Sequence, residues 1–125
     1  QLPPDHGEPL QVARYGVGGK YEFHFDTDHR MARLATLIAY LDEPASGGET
    51  IFPMEGGRAH PRSNAHCEDG LRVYPRQGRV IMFYSLKANG AHDDASLHGA
   101  CPVVDGTKWA ANKWVWNSPI GLGGY

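Results

Sequence analysis

The residues best suited to chemistry stand in the run Tyr21-Glu22-Phe23-His24-Phe25-Asp26. Strand side chains alternate, which predicts Tyr21, Phe23 and Phe25 on one face and Glu22, His24 and Asp26 on the other. The second face then offers an imidazole and a carboxylate about 6–7 Å apart along the strand, the spacing one metal ion can bridge. Alone, the pair is a weak signal and reads more readily as a surface histidine and aspartate on an edge strand. His98 supplies a third donor in Ser96-Leu97-His98-Gly99, where Gly99 lets the backbone approach a crowded site. Two imidazoles and one carboxylate form the facial set that leaves ferrous iron open positions for a co-substrate and dioxygen. Lys108 follows in Gly106-Thr107-Lys108-Trp109. A cation there can hold the far carboxylate of a dicarboxylic keto acid whose other end chelates the metal.

These side chains need short, rigid carriers, and the turn chemistry supplies them. Candidate strands fall at 10–15, 21–26, 34–41, 49–52, 71–74, 79–84, 96–98 and 109–116, separated by glycines, prolines and the Asp105-Gly106 turn. Leu34, Leu37, Ile38 and Leu41 also match a helical stripe. Eight residues make a short helix, however, and Thr36, Ile38 and Tyr40 favour a strand. The stretches 47–62 and 87–96 read as irregular. About eight short strands with few helices imply a sandwich or an open barrel.

The chain has 125 residues, enough for one domain. Its 16 glycines and 9 prolines suit strands joined by tight turns rather than a helical bundle. A net charge of −2, with no basic block, argues against a nucleic-acid groove or a membrane-surface patch. The longest apolar run, 34–41, is far below the roughly 20 residues a spanning helix needs. Residues 1–9 read as a Pro-rich lead-in, 10–117 as the domain and 118–125 as a Gly-rich tail. The first residues lack the basic and apolar regions of a signal peptide, so the chain reads as a mature or trimmed piece of something longer. Two cysteines, Cys67 and Cys101, suffice for one bridge.

Four segments, YGVGGKYEFHFD, RLATLIAYLDEPASGGETIFP, LRVYPRQGRVIMFYSL and SLHGACPVVDGTKWAANKWVWN, run in order through 15–117. Together they resemble the prolyl 4-hydroxylases of the iron and 2-oxoglutarate dioxygenase superfamily. The resemblance implies a mainly β, double-stranded β-helix (jelly-roll) core. It implies hydroxylation of peptidyl proline at C4, using Fe(II), dioxygen and 2-oxoglutarate, with succinate and carbon dioxide as by-products and ascorbate as reductant. It assigns His24, Asp26 and His98 to the iron and Lys108 to the C5 carboxylate of 2-oxoglutarate. Tyr15 and Thr50 would add hydroxyl hydrogen bonds to that carboxylate, and Trp114 would wall the pocket. Tyr21 and Arg33 would face a Pro-rich or collagen-like peptide. Cys67 and Cys101 would form the disulfide of secretory members, which places the chain in the endoplasmic reticulum lumen or secretory pathway.

The sequence departs from the family at three points. The stretch 27–32 is short where relatives carry a longer loop over the peptide. Trp116 stands where family members often have a substrate-contacting histidine. The fourteen residues before Tyr15 are too few for the helices and strands that back the family's main sheet. An oxygenase acting on another residue or a small molecule, and a non-catalytic peptide-binding jelly roll, are the competing readings. A zinc site from His60, His66, Cys67, His98 and Cys101 fits no regular ligand spacing.

Overall fold

The computed structural model describes residues 2–28, 30, 32–61 and 67–120. Ten strands follow one another: β1 (Gln11–Tyr15), β2 (Tyr21–His24), β3 (Arg33–Tyr40), β4 (Ser46–Gly47), β5 (Thr50–Phe52), β6 (Leu71–Val73), β7 (Val80–Tyr84), β8 (His98–Ala100), β9 (Val103–Asp105) and β10 (Lys108–Trp116). Helical structure among the described residues is confined to three 3-10 turns, Pro4–His6, Glu55–Gly57 and Asp94–Ser96. One antiparallel sheet has the order β1-β10-β3-β7 and the other β2-β8-β5-β6, with β4 and β9 forming a small ribbon. The chain is a jelly roll, mainly β as the composition and motifs imply. No helix among the described residues is long and apolar enough to cross a membrane.

The segment that also fitted a helical stripe is an interior strand, β3, paired with β10 on one side and β7 on the other. Its alternation sorts the side chains. Thr36, Ile38 and Tyr40 turn inward with Phe83 and Ile81 of β7, while Leu37 shares the outer face with Met82. Ile38, Tyr40 and Ala110 form the buried centre, packed against Val73, Ile81 and Phe83. On β10 the inward row is Lys108, Ala110, Asn112 and Trp114, and the ladder sets Asn112 opposite Ile38 and Trp114 opposite Thr36.

Two local expectations need correction. The alternation expected through 21–26 fails because β2 ends at His24 and its pairing with β8 shifts register between Tyr21 and His24. That irregularity puts Tyr21 beside His24, ring centroids 4.4 Å apart, instead of on the opposite face. The strand expected at 96–98 starts at His98, and Asp94–Ser96 is a 3-10 turn. Asp93 accepts from the Ala95 N–H at 3.1 Å and the Ser96 hydroxyl donates to the Asp93 carbonyl at 2.7 Å, local bonds that compete with extension.

The N-terminal residues are tied to the end of β10. Glu8 N–H donates to the Trp114 carbonyl at 3.0 Å, Gly7 bridges to Val115, and the His6 ring lies 3.1 Å from the Trp116 carbonyl. Of the tail expected at 118–125, Ile120 N–H donates to the Asp5 carbonyl at 2.9 Å, and 121–125 lie outside the described residues. His29 and Met31 of the short loop also lie outside them.

Candidate active site

β2 and β8 pair directly, with His24 opposite His98. Gly99 makes this approach possible: a Cβ there would sit 2.8 Å from Phe23 Cδ1 and 2.9 Å from the Tyr21 carbonyl. Asp26, just past β2, is buried between the two imidazoles. Its Oδ1 lies 3.3 Å from His24 Nε2 and its Oδ2 lies 3.6 Å from His98 Nε2. One donor atom from each residue falls within 4.8 Å of the others, close enough to share a metal ion.

The tautomers suit that task. His24 Nδ1 lies 2.7 Å from the Glu22 carbonyl and His98 Nδ1 lies 2.9 Å from the Ser96 carbonyl. A carbonyl only accepts, so each Nδ1 carries a hydrogen and each Nε2 faces Asp26, available to a metal once unprotonated. Burial pushes the Asp26 carboxyl upward, but the His24 hydrogen bond, the His98 ring and the Thr36 hydroxyl together hold it well below the usual carboxylate range. Burial lowers His98 despite Asp26; for His24 burial is outweighed by Asp26 and the Glu22 carbonyl, which raise it. An anionic carboxylate and two imidazoles that present Nε2 are a donor set that fits a divalent transition metal.

These residues line a cleft of about 480 Å³. Lys108 stands at another part of its wall, only 3% exposed. Its Nζ donates to the Gly48 carbonyl at 2.7 Å and lies 5.1 Å and 5.6 Å from the ring centres of Tyr15 and Tyr40. No carboxylate among the described residues forms an ion pair with it. Burial lowers Lys108 to about 8, with Glu49 pulling the other way. A buried cation without a counter-charge is costly, and an anionic ligand in the cleft offsets that cost. Thr50 lines the same region, and its hydroxyl lies 2.6 Å from Tyr40 Oη. Burial raises the Tyr15 phenol, and Tyr21 adds to the rise, so Tyr15 stays a neutral hydroxyl.

Arg33, Tyr21 and Trp114 line the cleft too. Arg33 lies 4.2 Å over the Trp114 ring and donates to the Asp26 carbonyl at 3.3 Å. Trp114 Nε1 is buried without a hydrogen-bond partner among the described residues. Trp116, expected near substrate, is not among the cleft-lining residues; its indole N–H donates to Glu8 Oε1 at 2.7 Å. The same carboxylate grips Arg33. Cys67 and Cys101 form a disulfide, which binds both sulfurs and removes them from the zinc alternative. His66 of that alternative lies outside the described residues.

Sequence reasoning missed Glu8, Thr36, Tyr40 and Asn112. Tyr40 read only as a strand aromatic and Thr36 only as a β-branched strand former. Glu8 fell in the lead-in and carried no local signal. Asn112 could have been found from the inward row of β10, two residues from Trp114 and four from Lys108.

The family model of the 2OG-Fe(II) oxygenase superfamily matches residues 10–116. The chain is 42% identical to "Probable prolyl 4-hydroxylase 7" of Arabidopsis thaliana, over 91% of this chain and 40% of that protein. It is 42% identical to "Prolyl 4-hydroxylase 13" of the same plant, over 92% of this chain and 45% of that one. Among solved structures, the viral collagen prolyl hydroxylase vCPH from Paramecium Bursaria Chlorella virus-1, in its 2OG complex, superposes with a TM-score of 0.70 at 32% identity. That match covers 87% of this chain and 58% of the viral one. The chain thus spans less than half the length of these plant relatives. With a matched region that takes in all three clustered donors and Lys108, the chain belongs to the 2OG-Fe(II) oxygenase superfamily.

Proposed function

We propose that this chain carries the catalytic core of a peptidyl-proline 4-hydroxylase that uses Fe(II), dioxygen and 2-oxoglutarate. The observation that carries the reading is one cleft lined both by the His24–Asp26–His98 cluster and by the buried Lys108, which forms no ion pair among the described residues. His24 Nε2, His98 Nε2 and one Asp26 oxygen would hold the iron. Lys108 would pair with the C5 carboxylate of 2-oxoglutarate, and the surrounding burial makes that pairing stronger than it is in water. The Thr50 hydroxyl, oriented by Tyr40, and the Tyr15 hydroxyl would donate to the same carboxylate. Bound iron, with dioxygen and 2-oxoglutarate, supplies the oxidation of proline C4–H to the alcohol, with succinate and carbon dioxide released.

Tyr21 and Arg33 would receive the peptide, and Trp114 would wall the 2-oxoglutarate pocket. A Pro-rich chain in the polyproline II conformation offers carbonyl acceptors and few N–H donors. Arg33, with N–H groups beyond those it spends on Glu8 and Asp26, is a donor suited to it. Trp116 would act on the peptide through Glu8 and Arg33 rather than by contact. Ascorbate would serve as reductant. The Cys67–Cys101 disulfide supports an oxidising compartment, and the endoplasmic reticulum lumen or secretory pathway is the location we propose.

The test is to incubate the protein with ferrous iron, 2-oxoglutarate and Pro-rich or collagen-like peptides, following peptide mass and succinate. Gain of one oxygen on proline, with stoichiometric succinate, is the expected result. Succinate formed only with another class of substrate would replace the prolyl assignment, and metal binding with no decarboxylation on any substrate would remove the catalytic one.

A further inference from the structure

β3 brings to the His24–Asp26–His98 group a side chain that neither the His24-x-Asp26 spacing nor His98 announces. Thr36 is 1% exposed, and its hydroxyl donates to Asp26 Oδ2 at 2.6 Å. β3 is paired on both sides, with Thr36 held between Trp114 and Phe83, so the donor sits on a rigid element. Its β-branched side chain has little rotameric freedom. Each of the three candidate ligands thus has one polar atom fastened to protein; in Asp26 that atom, Oδ2, also lies 3.6 Å from His98 Nε2, while Oδ1 lies 3.3 Å from His24 Nε2. His24 and His98 are fastened through Nδ1 to backbone carbonyls, and Asp26 is fastened through Oδ2 to Thr36.

We infer that Thr36 is a positioning residue that makes Asp26 a one-oxygen ligand, presenting Oδ1 to the metal and keeping Oδ2 engaged. The consequence is specific to this chemistry. A facial set needs three open coordination positions, two for a chelating keto acid and one for dioxygen. A carboxylate free to swing and bind through both oxygens would occupy one of them. The hydrogen bond to a charged acceptor resists that swing, because chelation through Oδ2 would have to displace a buried donor and leave it unpartnered. The inference rests on the metal-site reading above.

The variants Thr36→Val, which keeps the shape and removes the hydroxyl, and Thr36→Ser, which keeps the hydroxyl, separate the cases. Thr36→Ala is a second hydroxyl-free variant should valine not fold. Fe(II) and Co(II) affinity are measured anaerobically, with the visible spectrum of the Co(II) form, 2-oxoglutarate binding and thermal unfolding recorded alongside. The hydroxyl-free variant is expected to lose metal affinity by roughly 10- to 100-fold, as for other outer-shell partners of metal ligands. Its Co(II) spectrum should also change and its 2-oxoglutarate binding weaken, while serine restores all three. Wild-type affinity and spectrum in a folded hydroxyl-free variant would overturn the inference. Equal impairment by serine and by valine would do the same, since shape rather than the hydrogen bond would then be responsible. If the wild-type protein bound no divalent metal dependent on His24 and Asp26, the underlying site reading would fall first.

Discussion

Glu8 and Arg33 meet through two parallel hydrogen bonds, Nε to Oε1 at 2.9 Å and Nη2 to Oε2 at 3.0 Å. This planar fork joins the N-terminal segment to the first residue of β3, and Arg33 in turn reaches the Asp26 carbonyl. Because Glu8 Oε1 also accepts from Trp116, one carboxylate fixes two residues expected at the peptide side of the site. Glu8→Ala should therefore raise the KM for peptide more than the KM for 2-oxoglutarate. It should also lower stability by about 1.5–3 kcal/mol, the range for hydrogen bonds to charged groups. Steady-state kinetics with each substrate varied, and denaturant unfolding, check the two effects; a parallel rise in both KM values would disprove the division.

His24→Ala and Asp26→Ala should each reduce iron-dependent turnover to background, because two remaining donors hold a metal poorly. Stoichiometric metal binding measured by calorimetry should vanish in step. Turnover retained in either variant would reassign the ligand set.

Lys108→Ala should raise the requirement for 2-oxoglutarate by roughly 10- to 100-fold, the equivalent of one lost charge-assisted hydrogen bond. The pH dependence follows from the same residue. Burial brings its ammonium down from 10.5 to about 8, so the cation is lost as pH rises through that value and 2-oxoglutarate affinity should weaken. Between about 8 and 10.5 the unfolded chain binds more protons at this position than the folded one, so the Lys108 contribution to stability increases with pH across that window. Calorimetric titration of 2-oxoglutarate from pH 7 to 9.5, with Lys108→Met as control, reads the affinity effect. An affinity flat across that range in the wild-type protein would move the anion-binding role elsewhere.

The Cys67–Cys101 bridge closes a sequence separation of 34 residues and fastens the chain just beyond β8, the strand that carries His98. Reduction should cost about 3–4 kcal/mol by the chain-entropy relation. Thermal unfolding with and without reductant gives the difference, and identical midpoints would show that the bridge contributes nothing to the folded state.

Much of the site was legible because strand geometry is local. One residue separates His24 from Asp26, and so short an interval keeps the two donors near one point even though β2 itself ends at His24. Strand alternation places Lys108, Ala110, Asn112 and Trp114 in one inward row of β10. Glycine and proline likewise marked the strand ends, since their backbone preferences act residue by residue. The cleft's far partners were not legible in this way. Glu8 lies 25 residues from Arg33 and 108 from Trp116, and no periodicity encodes such a meeting. Thr36 reads as an ordinary strand residue until Asp26 is folded against it, and Tyr40 until Thr50 is.

The sequence by itself determined the donor types, their spacing within each strand and the mainly β class, because backbone sterics and side-chain alternation depend only on near neighbours. The tertiary structure decided which strand pairs with which and in what register, including the shift that sets Tyr21 beside His24. Those choices belong to cross-strand hydrogen bonding and burial, which involve residues remote in the chain and are settled only when the two sheets close over a common interior.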